Sequence, residues 1–86
     1  MVKPMDKRTF VVQATWDGEA GVWVAESADV PGLITEAETP NELIKKLSVL
    51  IPELVELNHV PVVPGKPLEV VLQLRGEERI NVLVAA

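Results

Sequence analysis

Hydrophobic residues alternate with polar ones, or cluster as β-branched and aromatic residues, in five short stretches of the chain. This two-residue period is typical of β-strands. The stretches are residues 8–16, 22–26, 33–37, 68–75 and 80–84. The segment DGEAG at residues 17–21 has two glycines that favour a turn, so the first two strands are predicted to pair as a hairpin. Gly32, which follows a proline, is expected to form a turn or bulge before the third strand.

Between the third and fourth strands the period changes to that of a helix. The sequence TPNE at residues 39–42 is a capping box with proline at the first helical position. Pro52 lies within the period and predicts a kink, and Asn58 is expected to end the helix in the left-handed conformation. The pattern therefore predicts one helix over residues 40–58, which buries a stripe formed by Leu43, Ile44, Leu47, Leu50, Ile51, Leu54 and Val55.

The order β-β-β-α-β-β predicts an α+β fold, with a largely antiparallel sheet and the helix packed on one face. The 86 residues are expected to form a single domain, with residues 1–7 poorly ordered. The second face of the sheet carries less charge than a fully solvated face. This face predicts self-association as a dimer or tetramer, and scattered surface hydrophobic residues are the alternative. The residues predicted to mediate self-association are Val11, Gln13, Ile34, Val71 and Leu83.

The net charge of the chain restricts its partners. Thirteen acidic and eight basic residues give a net charge of −5, and such a surface repels nucleic-acid phosphates. A basic protein partner is favoured instead, because opposite charges steer association. No signal peptide is visible, and no apolar run approaches the roughly 18 residues of a membrane helix. A cytoplasmic location is expected, without membrane or nucleic-acid contact.

Residues 16–33, WDGEAGVWVAESADVPGL, and the block TEAETPNEL, which leads into a helix ending PELVELN, resemble the HicB-like antitoxin superfamily. They are most similar to a stand-alone branch of unassigned function, over residues 9–58. The resemblance implies a partial ribonuclease-H-like sheet with one helix, an oligomer, and neutralisation of a small basic ribonuclease toxin of the HicA type by covering its RNA site. Many HicB antitoxins carry a DNA-binding segment. Only strand-like residues follow Asn58 here, which puts DNA binding in doubt.

The polar residues give little support for catalysis. His59 is the only histidine, and there is no cysteine, so a two-histidine metal site is excluded. We expect His59 to lie at the helix end, where an imidazolium favours the helix dipole, with a catalytic base or ligand as the alternative. Acidic residues around the hairpin and third strand leave a small metal-dependent hydrolase as an alternative. No catalytic residue, metal ligand or cofactor is predicted.

The binding residues are predicted among these acids and the two tryptophans. Trp16 and Trp23 are the large aromatic residues besides Phe10, and tryptophan serves both small cores and interfaces. The prediction is an oligomeric protein-binding module, with a self-assembling domain without a toxin partner as the alternative. The predicted partner-binding residues are Trp16, Glu26, Asp29, Glu36 and Glu38.

Overall fold

The computed structural model describes residues 9–77 and 80–85. The strands are β1 (Thr9–Asp17), β2 (Val22–Glu26), β3 (Ile34–Ala37) and β4 (Glu69–Arg75), and the helix α1 is Pro40–Leu57. They form a mixed sheet in the order β3-β2-β1-β4, with α1 packed on one face. The predicted α+β fold is confirmed.

β4 lies parallel to β1, whereas the β1–β2 and β2–β3 pairs are antiparallel. The predicted fifth strand is wrong for the single chain, because residues 80–85 are not part of any strand. Alternation predicts an extended conformation, but a strand also needs a hydrogen-bonded neighbour. The predicted disorder of residues 1–7 lies outside the described residues.

The start of α1 follows the predicted capping box. The hydroxyl oxygen of Thr39 accepts a hydrogen bond from the Glu42 N–H at 3.1 Å, and the Leu43 N–H donates to the Thr39 carbonyl. Pro40 occupies the first turn, where its missing N–H costs nothing. The helix continues through Pro52 as one element.

The end of α1 differs from the prediction. Asn58 has a φ of −98°, and the left-handed residue is His59, with a φ of 53°. The N–H of Val60 donates to the Val55 carbonyl at 3.0 Å, and the N–H of His59 donates to the Glu56 backbone carbonyl at 3.3 Å. These two bonds form a Schellman motif, which requires the left-handed conformation at the residue after the cap.

The core lies between α1 and the inner face of the sheet, the face that carries Phe10, Val12 and Ala14. α1 packs closest to β2 and β3, and an open groove separates it from β4. As a result Ile44, predicted to be buried, is 49% exposed. The buried hydrophobic residues are Phe10, Val12, Ala14, Ala25, Val30, Leu33, Ala37, Leu43, Leu47 and Ile51.

The loop between β2 and β3 contains the turn predicted at Gly32. Its φ is +82°, and the Leu33 N–H donates to the Val30 carbonyl at 3.2 Å. With Pro31 before the glycine, this is a type II turn. The Asn58 amide donates to the Pro31 carbonyl at 3.3 Å, so the turn is linked to the end of α1.

Candidate functional site

The two tryptophans form a cross-strand pair near one end of the sheet. Trp16 of β1 lies opposite Trp23 of β2, and their ring centroids are 5.3 Å apart at an interplanar angle of 58°. Both side chains are half-buried. Trp23 packs against the core, whereas Trp16 is not among the residues packed there. The pair therefore stabilises the hairpin and still presents aromatic surface to solvent.

This pair lines an open recess of about 490 Å³, which we call the tryptophan recess. Its other lining residues are Glu38, just before α1, and Gly76 and Glu77, just after β4. Both carboxylates are exposed. Aromatic faces attract cations, and carboxylates form charge-assisted hydrogen bonds with lysine and arginine. The recess thus has the chemistry to accept a basic side chain.

Gly76 allows the backbone to pass close to the rings. A Cβ atom at this position would lie 2.9 Å from the Cβ of Trp16 and 3.2 Å from the Cη2 of Trp23. Any larger residue would push one of the tryptophans or the backbone away. Sequence reasoning missed Trp23, Gly76 and Glu77 as site residues. Of these three, only Trp23 could have been found from the sequence, because the register of the predicted hairpin places it opposite Trp16.

The predicted partner-binding residues occupy three separate places. Trp16 and Glu38 meet in the tryptophan recess. Glu26 and Glu36 are exposed on the outer face of the sheet, the face opposite α1, where Glu26 lies beside Ile34 and Glu36 beside Val24. The charged residues at outward strand positions are Asp17, Glu26, Glu36, Glu69 and Arg75. The outer face is therefore acidic as well, and the prediction that this face carries little charge is wrong.

Asp29, the fifth predicted residue, has a role within the chain. Its Oδ2 accepts a hydrogen bond from the Val11 N–H at 2.8 Å, and the Ser27 hydroxyl donates to the Val11 carbonyl at 2.6 Å. The Ser27 oxygen also accepts from the Asp29 N–H at 3.0 Å. Pairing between β1 and β2 stops at Gln13 and Glu26, so these side chains replace the β2 partner that Val11 lacks.

The structure places four of the five predicted self-association residues on the outer face. Val11 lies beside Val71 of β4, and Gln13, the next outward-facing residue of β1, lies beside Gln73. Ile34 is on the edge strand β3, 75% exposed. Leu83 lies outside the sheet. The predicted placement on one face is therefore wrong for Leu83, and the role of all five residues in self-association stays a prediction.

The described part of the chain has neither a metal-binding cluster nor a membrane-spanning helix. Residues 9–77 and 80–85 contain no group of three histidine, cysteine, aspartate or glutamate side chains placed to hold a metal ion. Within the same residues, no helix is long and apolar enough to cross a membrane. His59 is exposed at the end of α1.

Comparison with known proteins gives a family and a structural relative. The chain is similar in structure to a hypothetical protein, TTHA1013, from the extremely thermophilic bacterium Thermus thermophilus, with a TM-score of 0.64 and 55% sequence identity. The match covers 87% of this chain and 100% of that one. A search of the curated proteins finds no match. The model of the family described as "Domain of unknown function (DUF1902)" matches residues 9–86, and the chain belongs to this family.

Proposed function

We propose that this chain is an oligomeric protein-binding module that holds a small basic protein. The tryptophan recess carries the proposal, because two aromatic rings 5.3 Å apart lie beside two carboxylates in an open cavity. A lysine or arginine of the partner would lie against Trp16 and pair with Glu38. Tryptophan and arginine are the residue types that most often dominate interface energies.

The acidic surface supports the same proposal. The chain has a net charge of −5, and Glu26 and Glu36 extend the negative potential to the outer face. Such a surface speeds encounter with a basic partner and makes binding weaker at high salt. Asp29 is not needed as a contact in this proposal, because its carboxylate binds Val11.

The partner that fits this chemistry is a small basic ribonuclease of the HicA type. The resemblance of residues 9–58 to HicB-like antitoxins favours this class, although fold alone does not determine function. In this mechanism the module covers the RNA site of the toxin and competes with RNA by steric exclusion and charge. The module itself performs no chemistry.

The test is a charge reversal in the recess with a control of equal charge. We expect Glu38→Lys to weaken binding to a HicA-type toxin at least about tenfold, measured by calorimetry, because a like charge then faces the basic side chain. The control is Glu56→Lys, at an exposed position near the end of α1. It changes the net charge by the same amount and should have little effect on the affinity for the toxin. The toxin's ribonuclease activity should be inhibited by the wild-type chain and largely restored with Glu38→Lys.

Two results would contradict this proposal. Equal weakening by both variants would mean that net charge alone drives binding and that the recess is not the site. A purification of the native complex that yields only this chain, together with no binding of a HicA-type toxin, would favour a self-assembling module without a toxin partner.

A further inference from the structure

A second cavity lies between α1 and β4, on the part of the inner face that the helix leaves open. This α1–β4 groove has a volume of about 530 Å³. Its only polar side chain among the lining residues is Ser48, whose hydroxyl donates to the Ile44 carbonyl at 2.8 Å and is satisfied within the helix. The groove is therefore apolar, with walls that include Ile44, Leu47, Ile51, Leu68, Val70 and Leu72.

β4 also has an open edge along this groove. It is the last strand in the order β3-β2-β1-β4 and pairs only with β1 among the described strands. The backbone groups on its other side have no partner strand. An edge of seven residues with an apolar inner side is a template for one more strand.

Residues 80–85 match this template in length and pattern. Ile80, Val82 and Val84 would lie on one side of an extended strand, and they are 77%, 70% and 80% exposed. Six residues in an extended conformation span about 20 Å, close to the length of β4. Three exposed β-branched side chains in one row are costly in water and well suited to the groove.

In the structure residues 80–85 do not pair with their own β4, because they belong to no strand, and Ile80, Val82 and Val84 stay exposed. Gly76 lies close to both tryptophans at the point where the chain leaves β4.

We propose that two copies of this chain exchange residues 80–85. Each segment adds as a strand to the β4 edge of the other copy, with Ile80, Val82 and Val84 in the α1–β4 groove. Reciprocal exchange is a two-fold arrangement that fills both grooves and leaves neither segment exposed. This dimer goes beyond the proposed function and does not depend on a basic partner.

The absence of cysteine from the chain allows a direct test of the exchange. The double variant Ile44→Cys/Val82→Cys is oxidised at low concentration, and its products are separated by mass under denaturing, non-reducing conditions. Exchange predicts a covalent dimer. A monomer with both thiols consumed would show that the segment folds back on its own chain, and free thiols would show that it does not reach the groove. Either of these results would overturn the proposal.

The two sides of the segment provide a second test without cross-linking. Val82→Asp places a charge in the groove and should raise the dimer dissociation constant at least about 100-fold in sedimentation experiments. Asn81→Asp adds the same charge on the opposite side of the strand, so it should change this constant less than about fivefold. Equal effects, or a dimer unaffected by Val82→Asp, would contradict the exchange. Both tests use this chain alone, so their outcome is separate from that of the toxin-binding experiment.

Discussion

Removal of the Asp29 carboxylate tests whether this residue supports the fold or contacts a partner. In Asp29→Ala, the Val11 N–H loses an acceptor at 2.8 Å, in a half-buried place where β2 no longer pairs with β1. A hydrogen bond to a charged group contributes about 1.5–3 kcal/mol. We therefore expect the free energy of unfolding to fall by about 2 kcal/mol. The whole domain is expected to have only about 4–13 kcal/mol, from typical values per residue.

The assay is urea unfolding monitored by tryptophan fluorescence. It is repeated at several protein concentrations to separate the contribution of any dimer to the free energy of unfolding. A loss of about 2 kcal/mol corresponds to a decrease in Tm of about 8–16 °C for a domain of this size. Asp29→Asn keeps an acceptor oxygen but loses the charge, so about half of the effect is expected. Glu26→Gln removes an exposed carboxylate nearby and should change stability by less than about 0.5 kcal/mol.

A double-mutant cycle with Ser27→Ala makes the test sharper. The Ser27 hydroxyl accepts a hydrogen bond from the Asp29 N–H and donates one to the Val11 carbonyl, so the two substitutions should be non-additive by at least about 0.5 kcal/mol. The structural role would be refuted if Asp29→Ala kept wild-type stability. If that variant also lost affinity for a basic partner, Asp29 would be a binding residue, as the sequence predicts.

Three further substitutions test local features of the fold by the same unfolding assay. Gly76→Ala should lower the free energy of unfolding by about 1–3 kcal/mol and alter tryptophan fluorescence, because the new Cβ would lie 2.9 Å from the Cβ of Trp16. The control is Gly18→Ala, whose Cβ would lie 3.6 Å from the Trp16 ring and should leave the fluorescence unchanged. His59→Gly should raise stability by up to about 1 kcal/mol, because glycine adopts a φ of 53° without strain; a loss would show that the imidazole contributes a contact. Thr39→Ala should cost about 1 kcal/mol by removing the acceptor for the Glu42 N–H, and an unchanged midpoint would contradict the cap.

The sequence was sufficient for elements whose signal is local. The capping box at residues 39–42 and the apolar period placed α1 correctly to within one residue. Alternation assigned Val11 and Gln13 to the face opposite Phe10 and Val12, because the period of a strand is two. These predictions need only neighbouring residues and backbone geometry.

The sequence was not sufficient where distant segments meet. The tryptophan recess combines β1, β2, the start of α1 and the end of β4, and no spacing along the chain reveals this. Ile44 fits the helical stripe, yet it is half exposed because it lines the open groove between α1 and β4. His59 is left-handed because of its position after the cap, whereas residue type alone favoured Asn58.

The two proposed binding surfaces are connected through Gly76 and Glu77. These residues line the tryptophan recess and also begin the stretch that leads from β4 to residues 80–85. The path of that stretch therefore sets the position of one wall of the recess. If exchange fixes the path, it orders the recess for a basic side chain before the partner arrives. A partner that prefers the ordered recess then binds the exchanged dimer more tightly than the monomer. By thermodynamic linkage, the same partner lowers the dimer dissociation constant by the factor by which dimerisation strengthens partner binding.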